Sequence, residues 1–163
     1  GGDVQTVRAD GLPSTFVPGR NLHFLMVAAA HAHTLGLTEV VIGASHVDYS
    51  GYPDCRPAFL RHAQSAIQTA LDAPELAVHA PLLYSSKADT VRKMHALGEH
   101  AWAGLGLSWT CYDPQTQTKP RLRGDRAWRG LYREHHPCGV CPACVLRAKG
   151  FAEVGLDDPA LGG

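Results

Sequence analysis

Apolar residues fall at helical spacing in two stretches of the chain, with short β-branched runs between them. Pro18-Gly19 precedes Arg20 to Leu35, an Ala-rich apolar stretch that stops at Gly36, so a helix is predicted with a breaker on each side. Val40-Val41-Ile42 is short, β-branched and closed by Gly43, which predicts a buried strand. From Ala58 to Asp72 the apolar positions Phe59, Ala63, Ile67 and Ala70-Leu71 predict a second helix. Leu76 to His79 reads as a second short strand. Ser86-x-x-Asp89 has the form of a capping box opening a third helix, which runs through Leu97 and stops at Gly98. Helix, strand, helix, strand, helix is an α/β order with a mainly parallel sheet.

The pattern breaks at both ends of this core. Residues 1–17 are polar and turn-rich and read as loop. Residues 113–137 are a polar insertion with a basic tail: Gln115, Thr116, Gln117, Thr118 and Pro120 lead into Arg121, Arg123, Arg126, Arg129 and Arg133. Trp128 and Tyr132 are four residues apart and would stack if this stretch formed a short helix. The longest uninterrupted apolar run, Phe24 to Ala30, is far short of a membrane span.

Composition narrows the class. A length of 163 residues fits one domain, and 45% apolar residues with 18% charged ones argue for a packed core rather than disorder. Lys+Arg and Asp+Glu number 15 each, so the chain lacks a general basic footprint for nucleic acid; only the arginine-rich tail offers a local patch. No basic segment followed by a long apolar one opens the chain, so a secretory signal is not visible and a cytoplasmic location is expected. The chain opens on Gly1-Gly2 rather than Met, which reads as processing or excision from something longer.

Five cysteines are an odd count, which weakens a disulfide framework. Cys138, Cys141 and Cys144 lie within seven residues, with Cys111 upstream and Cys55 apart. Zinc takes four thiolates tetrahedrally at about 2.3 Å, and closely spaced cysteines on a tight loop can meet that geometry. Gly139 and Pro142 suit the turn that aims the sulfurs inward. Such a Zn2+ site would be structural, because four protein ligands leave no open position. An iron–sulfur cluster and a redox-active pair use the same residue type, and His135 and His136 compete with Cys111 as fourth ligand.

The loop after the first strand carries Asp48, Tyr49, Ser50, Gly51, Tyr52, Pro53, Asp54, Cys55 and Arg56. In open α/β sheets ligands bind beyond the carboxyl ends of the strands, so these side chains form a candidate site; the alternative is an ordinary turn-rich loop. Cys55 has no adjacent His to activate it and reads as a wall or packing group. Gly19, Arg20 and Asn21 open the first helix, where free N–H groups and a fixed charge suit an anion. Lys87 stands at the start of the third helix in the same way.

The strings Leu12-Pro13-Ser14-Thr15-Phe16-Val17-Pro18-Gly19-Arg20-Asn21, Asp48 to Arg56, Thr110-Cys111-Tyr112 and Cys138-Gly139-x-Cys141-x-x-Cys144 occur in that order. Together they closely resemble the 7-cyano-7-deazaguanine synthase family of queuosine precursor biosynthesis, from about Gly11 to Gly150. The resemblance implies a Rossmann-like PP-loop (adenine nucleotide alpha hydrolase-like) α/β fold with a C-terminal zinc-binding segment. It implies an ATP-dependent C–N ligase that uses 7-carboxy-7-deazaguanine, ammonia, ATP and Mg2+, forms a homodimer when full length, and meets neither membrane nor nucleic acid. Its structural zinc maps onto Cys111, Cys138, Cys141 and Cys144. Asp48, Asp54, Arg56 and Lys87 are the implied catalytic candidates. Tyr49, Ser50, Tyr52 and Cys55 are implied for substrate, and Gly19, Arg20 and Asn21 for ATP.

The chain departs from the family pattern in one respect: it contains no Ser-Gly-Gly-x-Asp-Ser phosphate loop. The expectation is a single partial domain, with an α/β core over 1–110 and a zinc segment over 111–150, whose first strand and phosphate loop are missing and which is inactive alone. The 113–137 insertion is also longer than the family pattern leads one to expect. Two other readings compete: another PP-loop enzyme acting on tRNA, and a zinc-stabilised nucleic-acid-binding module.

Overall fold

The structure is a computed structural model and describes residue 9 and residues 11–47, 52–120 and 131–161, with backbone only for 117–120 and 131–135. Helix α1 (Arg20–Thr34) opens at Gly19, whose left-handed φ of 69° favours glycine. It buries Asn21, Leu25, Ala29 and Ala32, a stripe at helical spacing. Its end is a Schellman motif. Gly36 N–H donates to His33 O at 3.1 Å and Leu37 N–H to Ala32 O at 2.9 Å, with Gly36 at φ 67°.

Strands β1 (Glu39–Val41) and β2 (Ala77–His79) pair in parallel, with Val40 opposite Val78. Helix α2 (Pro57–Leu71) makes the crossover, so the unit is βαβ. Pro57 is its first residue, where a missing N–H costs nothing. Leu25, Ala29, Val40, Leu60, Ala63, Ile67, Leu76 and Leu83 form one core between the two helices and the strand pair. Side chains of α2 also serve β2: Gln64 Oε1 accepts from Val78 N–H at 2.8 Å, and Gln68 Nε2 donates to Leu76 O at 2.8 Å.

Helix α3 (Lys87–Ala96) starts on the capping box that the sequence predicts, with Ser86 and Asp89 each accepting from the other's backbone N–H. A fourth helix, α4 (Glu99–Gly106), follows Gly98, the residue at which the sequence pattern predicts the helical run to stop. It has no buried residue, so no apolar stripe announces it. Helix α5 (Pro142–Val154) packs on α3, and Trp102 of α4 touches His95 and Phe151 edge-on.

Residues 115–120 and 131–136 correct the expected short helix. They are strands β3 (Gln115–Pro120) and β4 (Leu131–His136), antiparallel, with Lys119 opposite Tyr132. Tyr132 is therefore a strand residue, and Trp128 lies outside the described residues. Among the described residues, neither strand packs on any other element. The fold is mixed α/β with a small parallel sheet and a separate hairpin. No described helix is long and apolar enough to cross a membrane.

Candidate active site and metal centre

Four thiols converge where the chain returns from the hairpin. Cys111 follows α4, Cys138 follows β4, Cys141 caps α5, and Cys144 sits in the first turn of α5. Their sulfurs all lie within 4.8 Å of one another. A tetrahedron with metal–sulfur bonds of 2.3 Å has edges of about 3.8 Å, so a small contraction closes the cage. Gly139, at φ 76°, makes the turn between Cys138 and Cys141. Backbone N–H groups already point at sulfur: Cys138 N–H donates to Cys111 Sγ and Cys141 N–H to Cys138 Sγ, both at 3.3 Å.

The electrostatics suit a cation. Burial pushes the Cys141 thiol up, but hydrogen bonds from the Tyr112 and Cys144 backbones and from the Cys144 and Cys138 side chains outweigh it and bring it down to about 6. Cys144 moves the other way, to about 12, because burial and its thiol neighbours outweigh the Gly139 N–H. Four thiols this close cannot all ionise unaided, since each new negative charge faces the last. A divalent cation lets all four do so. The cluster can therefore hold a metal ion, and Cys111 rather than His136 completes it.

A second cluster forms at the start of α1. Asp54 lies on the 3-10 turn Pro53–Cys55, and its Oδ2 accepts from the Asn21 backbone N–H at 3.0 Å. Asn21 Nδ2 donates to Asp54 O at 2.9 Å and to Cys55 Sγ at 3.4 Å. Asp54 thus caps α1 from 33 residues away, satisfying one of the N–H groups a helix start leaves open. The carboxylate is 5% exposed, and its Oδ1 has no hydrogen-bond partner among the described residues. The Arg20 guanidinium lies over the Tyr52 ring, 5.4 Å from its centroid. The Tyr52 hydroxyl meets Thr15 Oγ1 at 2.6 Å, and its ring packs on Phe16.

Of the candidates from the sequence, Gly19, Arg20, Asn21, Tyr52, Asp54 and Cys55 come together here. Arg56 is exposed at the start of α2. Lys87 is half-buried at the start of α3, against Gly150 of α5. Asp48, Tyr49 and Ser50 lie outside the described residues, as do Arg121, Arg123, Arg126 and Arg129. Burial raises the Cys55 thiol, and the Asp54 charge adds to this against Asn21 and Arg20. A raised thiol carries little thiolate at neutral pH, which disfavours Cys55 as a nucleophile.

Sequence reasoning gave no role to Tyr112, which joins the two clusters. Its backbone lies against Cys141 and lowers that thiol, and its phenol lies near the phenol of Tyr52. Burial first, then Tyr52, raises that phenol above its ordinary value. The available clue was its place directly after Cys111, since whatever orients a metal ligand also orients the next side chain.

Comparison with known proteins now bears on both clusters. The family model described as "Queuosine biosynthesis protein QueC" matches residues 2–155. The chain belongs to the QueC family. Among curated members, the 7-cyano-7-deazaguanine synthase of Laribacter hongkongensis is 44% identical over 161 residues, covering 99% of this chain and 59% of its own length. The synthase of Anaeromyxobacter sp. (strain Fw109-5) is 44% identical over 158 residues, covering 94% and 58%. That of Chromobacterium violaceum is 43% identical over 152 residues, covering 93% and 56%. The chain spans somewhat under three-fifths of the length of these QueC-family relatives, and both clusters lie within the matched part.

Proposed function

We propose that this chain contributes to an ATP-dependent ligase that converts 7-carboxy-7-deazaguanine and ammonia into 7-cyano-7-deazaguanine. The observation that carries the reading is the 44% identity, over nearly the whole chain, to proteins bearing the synthase name. In the proposed chemistry, a substrate carboxylate oxygen attacks the α-phosphorus of ATP and pyrophosphate leaves. Ammonia adds to the acyl carbon, and AMP departs with the C–O bond to give the amide. The amide oxygen is adenylated by a second ATP, and loss of AMP with two N–H protons leaves the nitrile. Carboxylate and amide oxygens are poor leaving groups, whereas AMP is a good one.

The α1 cluster supports the substrate end of this reading. A guanine-like edge presents two N–H donors, which one carboxylate accepts together. Asp54, with Oδ1 unengaged, and Asp48 are the candidates for that contact. Tyr52, Tyr49 and Ser50 would line the flat face, and Arg20 would meet an anion beside them. Arg56 and Lys87 stay candidates for the phosphates. The four cysteines would hold Zn2+, whose chemistry there is to crosslink the fold. ATP would enter with Mg2+. The 163 residues contain no Ser-Gly-Gly-x-Asp-Ser string, so we assign the phosphate cradle to the length of the relatives that the chain does not span. A cytoplasmic homodimer completes the proposal.

A chimera tests it. The chain replaces the matched part of the Laribacter hongkongensis synthase and is assayed with 7-carboxy-7-deazaguanine, ammonia and Mg-ATP. The chimera is expected to make the nitrile, and the chain alone to release no pyrophosphate above background. Asp54→Ala in the chimera should weaken substrate binding about tenfold to a hundredfold, because buried donors lose their acceptor. A folded, metal-loaded chimera without turnover contradicts the reading.

A further inference from the structure

Cys111 stands apart from the other three thiols. Cys138, Cys141 and Cys144 sit on one turn and the start of α5, whereas Cys111 is 27 residues before Cys138 and arrives from α4. Something other than local sequence has to bring it into place. Dense apolar packing does not, because a cavity of about 110 Å3 lies along the Ser108–Cys111 segment, lined also by Cys144, Arg147, Ala148 and Asp158.

Besides the Cys138 N–H on Cys111 Sγ, contacts across this gap come from Arg147, on α5 one turn after Cys144. Its Nη1 donates to Ser108 Oγ at 2.9 Å and to Ser108 O at 3.5 Å, and its Nη2 reaches Leu105 O at 3.4 Å. Asp158 holds the guanidinium from the opposite side, accepting from Nε and, at 2.7 Å, from Nη2. The Phe151 ring lies 5.4 Å from the guanidinium. Asp158 is itself fixed by Ala160 N–H at 3.0 Å. Next to it, Pro159 packs so closely on the end of α4 that a Cβ on Gly106 would come within 3.3 Å. The Arg147 and Asp158 side chains are only 14% and 7% exposed. Burying such a pair carries a desolvation penalty that an apolar pair of the same volume avoids, so its use is better sought in the geometry it fixes. The guanidinium contacts fall on Ser108 and Leu105, on the segment that leads from α4 into Cys111, and Asp158 holds the guanidinium there.

We propose that Arg147, locked by Asp158, is the positioning residue of the metal centre: it sets the fourth ligand, Cys111, against the three carried by the turn and α5. This rests on the cluster being a metal site, and it assigns Arg147 no contact with substrate. Metal sites in general depend on such outer contacts, whose loss weakens affinity about tenfold to a hundredfold.

The test uses the whole chain loaded with Co2+, whose visible bands report the number and geometry of thiolate ligands. Release to a chelator is timed for wild type, Arg147→Gln, Cys111→Ser and the double variant. Arg147→Gln is expected to speed release about tenfold to a hundredfold and to shift the cobalt bands toward those of Cys111→Ser. In the Cys111→Ser background the same change should add less than about twofold, because the ligand it positions is gone. Ser108→Ala removes one acceptor without disturbing the ion pair and should speed release by about two- to tenfold. It decides the matter if Arg147→Gln does not fold. Unchanged release and bands in these variants, or equal acceleration with and without Cys111, overturn the positioning role. Failure of wild type to take up cobalt overturns the metal reading and this one together.

Discussion

The two halves of the molecule are held together by different physics. Between Arg20 and Leu83, two helices and a parallel strand pair share an apolar core in which Leu25, Ile67 and Leu76 are each 1% exposed. Between Cys111 and Leu161, the described residues form one helix and a hairpin that packs on no other described element, with few buried apolar side chains. Apart from the packing of α5 on α3, what joins this part among the described residues is four thiols, one buried ion pair and Tyr112 beside Tyr52. The first half holds its shape by burying area. The second holds it by directed contacts, each of which can be lost to a single change.

The sharpest way to break the comparison is to remove metal. Chelation, or Cys141→Ser, is expected to unfold most of 111–161 while leaving the first half folded, because ligand binding free energy at such sites is folding free energy. Hydrogen exchange should show protection lost in α5 and kept in α1 and α2. Cooperative loss in both halves would mean that they form one unit. Leu25→Ala is the converse change. It should cost about 2–5 kcal/mol in chemical denaturation and leave the metal content unaltered.

The contrast also governs what the sequence made legible. Helices α1 and α2 were readable to within a residue or two because burial imposes a period, and strands β1 and β2 from their short apolar runs, although β1 is not the buried strand expected: it buries Val40 but leaves Val41 67% exposed. The capping box at Ser86 was readable because it is local. Helix α4 is not, since none of its residues is buried, and neither is the hairpin, because the polar 113–137 stretch shows no strand alternation and the four-residue spacing of Trp128 and Tyr132 suits a short helix as well. Cys138, Cys141 and Cys144 were legible from spacing, and Cys111 as the fourth through the family resemblance. Asp54 as a cap on α1, Arg147 near Cys111 and Tyr112 beside Tyr52 were not, because each pairing joins residues more than 30 apart and leaves no mark on local sequence.

The seam where α3 meets α5 is a smaller target. A Cβ on Gly150 would fall 2.6 Å from Lys87 Cβ and 3.1 Å from Lys87 backbone carbon. Gly150→Ala should therefore cost about 1–3 kcal/mol through overpacking, with metal content unchanged. The effect of pH is of similar or smaller size. Burial would raise the Asp158 carboxyl, but hydrogen bonds from Arg147 and Ala160 and the guanidinium charge outweigh it and hold it below its ordinary value. A depressed carboxyl stabilises the fold fully above its unfolded value of about 3.9 and loses that contribution as pH falls through the folded value. The stability difference between wild type and Asp158→Asn, about 1.5–3 kcal/mol near neutrality, should accordingly shrink below about pH 4.

The proposed metal would do in the second half what the apolar core does in the first. Elemental analysis of the chain purified without added metal addresses this directly, with circular dichroism confirming the fold. About one zinc per chain and no iron is the expected result, unchanged by Cys55→Ser and abolished by Cys141→Ser. A metal-free chain that keeps α5 folded would contradict the account.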